Sequence, residues 1–220
     1  MKYDYYLFDM DGTLVDTGEG IIASLQKTQE EMGLRCLDRK TLRLFLGPPL
    51  KESIMKYYGV TYEETEKITQ VYRDWYMKVG VEKSVVFDYV KDFMIEIQKS
   101  PAKCAIATLK QYQLASNILE KVGLKQYADY IALNLNNDMG DKAEQIVECL
   151  QFLGCTDKSR AVMVGDSPND AEAANRVGID FIGLEYGEGF KKPGAVDLYP
   201  ISYLAKDEKD LYDYIVKSLK

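Results

Sequence analysis

Five short apolar runs separated by helix-length segments limit what this chain can fold into. Residues 4–9, 104–108, 129–133, 161–165 and 181–184 have the length and the β-branched or aromatic content of buried strands. Helical periodicity fills the spaces at 88–98, 112–122 and 142–152, and a further helix opens at Ser167-Pro168 and stops at Gly178. Alternation of this kind predicts a doubly wound, mostly parallel sheet with helices on both faces, an α/β fold. One interval breaks the alternation. Between the first strand and residue 80 the pattern is helical only, at 19–32, 39–46, 50–58 and 62–78. Gly33, Gly47 and Gly59 punctuate it, Pro49 suits a first helical position, and Thr61 with Glu64 forms a capping-box pattern. The expected organisation is therefore an α/β core from 1–16 and 83–220, with a small all-helical domain, 17–82, inserted after the first strand. No repeat or Pro-rich linker is visible, so short connections should join the two.

The first strand runs straight into Asp9-Met10-Asp11-Gly12-Thr13. In extended backbone, residues two apart project to the same side, so both carboxylates can face one space where the strand ends. Gly12 lets the chain turn away there, and open α/β sheets place ligands at carboxyl strand ends. Two like charges so close repel, which a divalent cation relieves. A plain surface turn is the alternative, since Asp-Gly is also a turn signal. The chain of 220 residues contains no histidine, which removes His triads and His metal sites and leaves carboxylates as proton carriers. Its formal net charge of −7 and lack of a dense Lys/Arg stripe argue against nucleic acid or an anionic membrane as partner. Cys36, Cys104, Cys149 and Cys155 form no C-x-x-C pair and read as buried thiols. No signal-peptide pattern or membrane-length apolar run is present, so a cytoplasmic location is expected.

Three further places carry chemistry. Asp166 follows the strand at 161–165 and Asp170 comes one helical turn later, so both could reach one cation. Mg²⁺ is usually held by one or two carboxylates plus waters, and Asp9 with Asp166, supported by Asp170, would suffice; alternatively Asp166 and Ser167 only cap the next helix. Thr108, Leu109 and Lys110 place a hydroxyl, free N–H groups and an ammonium after a strand, which suits phosphate oxygens, although a Thr at a strand end is commonly structural. Lys142 opens a helix, where a cation opposes the helix dipole, and that misplacement hints at use; a solvated surface lysine is the commoner fate.

In order, the D-x-D-G-T motif at 9–13, Thr108, Lys142 and the G-D-x-x-x-D motif at 165–170 resemble the four motifs of the haloacid dehalogenase superfamily. The likeness is to its phosphatases with a helical cap between the first two motifs, and it spans nearly the whole chain. It implies Asp9 as nucleophile, Asp11 as general acid/base, Thr108 as a phosphate ligand and Lys142 as charge partner of both. It implies a Mg²⁺ site at Asp9, Asp166 and the Asp11 carbonyl, with Asp170 behind them, and a phosphate cradle of Gly12, Thr108, Leu109, Lys110 and Lys142. The stretch 45–53, with Gly47 and Lys51, is similar to the cap loop of phosphoglycolate phosphatase-like proteins; Lys51 could read a substrate anion or be a solvated first-turn side chain. The cap aromatics Tyr57, Tyr58, Tyr62, Tyr72, Trp75 and Tyr76 read as cap core, given their helical spacing. Leu109 departs from the small polar residue usual in the family, 85–90 lacks the usual proline–glycine turn, and 131–139 lacks the glycine- and charge-bearing sequence of close relatives.

The resemblance implies Mg²⁺-dependent hydrolysis of a small phosphorylated metabolite through an aspartyl-phosphate, by a monomer or homodimer. Phosphoglycolate leads as substrate. A 5'-nucleotidase, a pyrophosphatase, a β-phosphoglucomutase-like phosphotransferase and a weakly catalytic binding or regulatory relative are the alternatives. A receiver-like domain is disfavoured by the helical insert.

Overall fold

A buried, uncharged strand is the natural centre of an α/β sheet, and β1 (Tyr5–Phe8) takes that place. The computed structural model describes residues 1–134, 140–190 and 196–220; part of the 131–139 stretch lies outside them. The other strands are β2 (Val15–Asp16), β3 (Val85–Val86), β4 (Lys103–Gln111), β5 (Tyr130–Asn134), β6 (Ala161–Gly165), β7 (Asp180–Leu184) and β8 (Tyr203–Ala205). The helices are α1 (Gly18–Met32), α2 (Arg39–Leu42), α3 (Leu50–Tyr58), α4 (Tyr62–Trp75), α5 (Val90–Gln98), α6 (Tyr112–Lys121), α7 (Lys142–Leu153), α8 (Pro168–Val177) and α9 (Glu208–Ser218).

Six strands form one sheet in the order β5-β4-β1-β6-β7-β8, with every pairing parallel. The order runs outward from β1 in both directions. Beside β1, therefore, the crossovers diverge and leave a crevice beyond the carboxyl ends of β4, β1 and β6. On one face, Leu7, Ala105, Ala107, Ala132, Met163 and Phe181 pack with Ile146 and Leu150 of α7 and Ala174 and Val177 of α8. On the other, the Phe8 ring stacks on Phe93 of α5 at 5.2 Å, and the Tyr6 hydroxyl meets Ser218 of α9 at 2.5 Å. Covering on both faces explains why these strands read as unbroken apolar runs.

The chain divides into two compact units, Met1–Val15 with Val86–Lys220, and Asp16–Val85. In the helical unit α1 packs on α4 and on a π-helical turn at Tyr76–Gly80. A side chain on Gly20 would lie 2.4 Å from the Gly80 carbonyl oxygen, so the two backbones cross in direct contact. Thr61 and Glu64 make the expected capping box at the start of α4.

Several expectations need correction. The helix predicted at 62–78 ends at Trp75 and passes into the π turn, and that at 39–46 is α2 followed by a 3₁₀ turn at Arg43–Phe45. Gly47 has φ +97° but caps no helix. The short strands β2, β3 and β8 and the helix α9 were not anticipated. Cys104 and Cys149 are buried, whereas Cys36 is exposed and Cys155 half-buried. Of the cap aromatics only Tyr72 and Tyr76 are buried; Tyr62 is 56% exposed. Among the described residues no helix is long and apolar enough to cross a membrane.

Candidate active site

Three neighbouring strands end at one place. Asp9 follows β1 and its N–H donates to the Val164 carbonyl at 3.0 Å; Thr108 lies near the end of β4, and Asp166 is the first residue past β6. The ammonium of Lys142, first residue of α7, reaches into the same space. Its Nζ lies 2.5 Å from Asp9 Oδ1, 3.0 Å from Asp170 Oδ1 and 2.9 Å from the Ala107 carbonyl oxygen. It donates to Asp9 and to the Ala107 carbonyl and forms an ion pair with Asp170. That arrangement offsets the unfavourable helix dipole at this position.

Each carboxylate is fixed by its own neighbours. Ser167 caps α8 and forms a capping box with Asp170, whose Oδ2 accepts from the Ser167 hydroxyl at 2.6 Å and N–H at 3.2 Å. Asp166 Oδ2 accepts from the backbone N–H groups of Glu188 and Gly189, at 2.8 and 3.1 Å. Gly12, at φ +79°, is required beside it, because a Cβ there would lie 2.5 Å from Asp166 Oδ2. Asp9, Asp166 and Asp170 are all buried, and each offers an oxygen within 4.8 Å of the other two. Three carboxylates then share one ammonium. Burial, with Asp170, Asp166 and Asp11 nearby, pushes the Asp9 carboxyl well above its ordinary range against the pull of Lys142. Burial and the charge of Asp170 push Asp166 up to about 6. Burial opposes the charge on Lys142, yet Asp170 and Asp9 hold its pKa above the usual lysine value. Hard oxygen donors with surplus negative charge fit a small divalent cation.

Asp11 stands apart from that trio. Its side chain is 30% exposed, and Lys110 Nζ lies 2.9 Å from its Oδ1. Thr108 is buried; its hydroxyl oxygen accepts from the Lys110 N–H at 3.1 Å, and its carbonyl accepts from Gln145 at 2.6 Å. The Leu109 carbonyl accepts from Asn134 at 3.0 Å. Gly47 and Lys51 belong to the helical unit, where Lys51 pairs with Glu66 at 2.6 Å above the Tyr62 ring. Sequence reasoning did not single out Gln145 or the segment 186–189, and gave Thr13 no role beyond its place in the motif at 9–13. Gln145 had a findable signal in its i+3 spacing from Lys142 on one helix face.

Comparison with known proteins agrees with this architecture. The family model described as haloacid dehalogenase-like hydrolase matches residues 6–184. The chain is 29% identical over 190 residues to a 5'-nucleotidase of Pseudomonas aeruginosa, covering 86% of each. It is 28% identical over 207 residues to pyrophosphatase PpaX of Bacillus velezensis, covering 93% of each. A solved haloacid dehalogenase-like family hydrolase from Streptococcus pneumoniae superposes with a TM-score of 0.86 at 26% identity, over 97% of this chain and 98% of that one.

Proposed function

The chain belongs to the haloacid dehalogenase-like hydrolases, and on that premise we propose that it hydrolyses a small phosphate ester with Asp9 as nucleophile. The observation that carries the reading is the Lys142 ammonium held between Asp9 and Asp170 at the carboxyl ends of the central strands. Asp9 attacks phosphorus and forms an acyl phosphate as the ester oxygen leaves. Asp11 gives that oxygen a proton, then takes one from a water that attacks phosphorus, breaks the P–O bond to Asp9 and so releases phosphate and the free Asp9 carboxylate. Lys142 keeps Asp9 oriented and balances its charge. Asp9, Asp166 and the Asp11 carbonyl, backed by Asp170, would hold Mg²⁺, which when bound supplies positive charge for the transferring phosphoryl oxygens. In this reading Thr108, Gly12, Leu109 and Lys110 form the phosphate cradle, 17–82 is a cap domain and the protein is cytoplasmic.

Phosphoglycolate is the first candidate substrate, and nucleoside monophosphates and pyrophosphate follow because relatives are named for them. The test is phosphate release from these compounds and from sugar phosphates, with Mg²⁺ and with chelator. Chelator-sensitive release from one class is expected. Ligand binding with no release from any of them, or transfer between sugar phosphates only, would sink the hydrolase reading.

The carboxylate cluster also sets a pH signature. Asp166 has its folded pKa raised to about 6, so relief by protonation stabilises the metal-free fold at low pH and is lost as pH rises through 6. Cation binding needs the ionised form and runs the other way. At a hundredfold excess over Kd, Mg²⁺ should stabilise the protein by about 3 kcal/mol at pH 7.5, raising Tm by roughly 5–10 °C. The shift should fade below pH 6. Thermal melts at pH 7.5 and 5 check this, and an equal shift at both would refute it.

A further inference from the structure

The segment 186–189, which follows β7, lies against Asp166, Ser167 and the turn after Asp11. The Glu188 and Gly189 N–H groups both donate to Asp166 Oδ2. A side chain on Gly187 would lie 2.1 Å from Asp166 Cβ, and one on Gly189 would lie 2.5 Å from the Asp166 carbonyl oxygen. The Tyr186 hydroxyl donates to the Thr13 carbonyl at 3.1 Å, and its ring packs edge-on against Phe87 at 5.1 Å. The segment is thus anchored at one end on the first turn of the site and lies, without side chains of its own at 187 and 189, directly on Asp166.

We propose that 186–189 is a positioning element that presents Asp166 to the cation through a single oxygen. A carboxylate oxygen has two lone pairs, and both of those on Oδ2 meet backbone donors. Oδ1 remains for the metal, with the Thr13 hydroxyl 3.5 Å away. Backbone N–H groups on a closely packed loop hold this geometry more rigidly than side chains would, and outer partners of this kind govern metal affinity by about ten- to a hundredfold. The inference rests on the reading of Asp166 as a cation ligand.

Mg²⁺ half-saturation, read from thermal melts of the whole chain without substrate, separates the outcomes. Gly187→Ala should raise it about tenfold or more, and Tyr186→Phe, which removes only the anchor to Thr13, by a few-fold. Gly154→Ala serves as control, because Gly154 has φ +74° and nothing within 4 Å of the added carbon. It should melt lower with half-saturation unchanged. If Gly187→Ala does not fold, Tyr186→Phe against the control decides. Wild-type half-saturation in both loop variants would reduce the segment to a structural loop and overturn this proposal alone. No Mg²⁺ response and no phosphate release in the wild type would instead overturn the reading of the site, and this proposal with it.

Discussion

Asp9→Asn should lose phosphate release by a factor on the order of 10⁴ or more while melting no lower than the wild type. The two halves of that expectation have one cause. Asp9 is buried among Asp166, Asp170 and Asp11, and its carboxyl is held well above the ordinary range by burial first and those neighbours second. Ionising it at neutral pH therefore costs folding free energy, which the Lys142 contact only partly offsets. An amide of nearly the same shape keeps an oxygen for the Lys142 ammonium and removes one charge from the cluster. Sites that work by chemistry of this kind give up stability to do so. The amide cannot form the acyl phosphate, so turnover goes whichever ester is supplied. Phosphate release on the best substrate and a thermal melt of both proteins measure it. Near wild-type turnover in Asp9→Asn would remove the nucleophile and the mechanism together, whereas loss of turnover with a collapsed Tm would show only that the residue is structural.

How far the sequence reveals this site depends on the range of the contacts involved. Asp9 and Asp166 stand one residue beyond apolar runs, and Ser167 and Asp170 form a capping box within four residues, so local pattern alone locates them. Lys142 is legible for a different reason, because its charge is wrong for a helix start and only a tertiary partner corrects it. The pairing of Lys110 with Asp11 bridges residues 99 apart, and nothing local announces it; the sequence reading pointed Lys110 at phosphate alone. Segment 186–189 acts through backbone N–H groups, which every residue but proline carries. Its one signal is the pair of alternate glycines, Gly187 and Gly189, after a strand. In the fold, β8 is only three residues long and falls below any usable period, and the π turn at Tyr76–Gly80 ends where the backbone meets Gly20, a contact that nothing local announces. Cys36 misled because its apolar neighbours suggested a buried setting.

Lys142→Met should be damaging to fold and function alike, the converse of Asp9→Asn. The side chain is buried, and its ammonium is the counter-charge of Asp9 and Asp170. Methionine keeps most of the volume and none of the charge, so carboxylates already crowded in an apolar setting lose their partner. Breaking a buried pair from one side typically costs about 3–5 kcal/mol, because the charge left behind is neither solvated nor paired. The loss should be greatest at neutral pH. Without Lys142 the Asp9 carboxyl is pushed up further, and protonation restores stability as pH falls, so the gap to wild type narrows between pH 7.5 and 5. Since Lys142 itself holds its proton beyond the usual lysine range, the wild type has no matching transition of this group at neutral pH. Turnover should fall by roughly 10²–10³, the cost of removing one preorganised charge from the transferring group. Lys142→Arg would not rescue it, because a planar guanidinium cannot donate to Asp9 and the Ala107 carbonyl and stay beside Asp170 as a compact ammonium does. Urea unfolding at the two pH values, with phosphate release, checks the argument. A variant as stable as wild type at pH 7.5 would mean that Asp9 is neutral in the native protein, and the ionised nucleophile would then have to be abandoned.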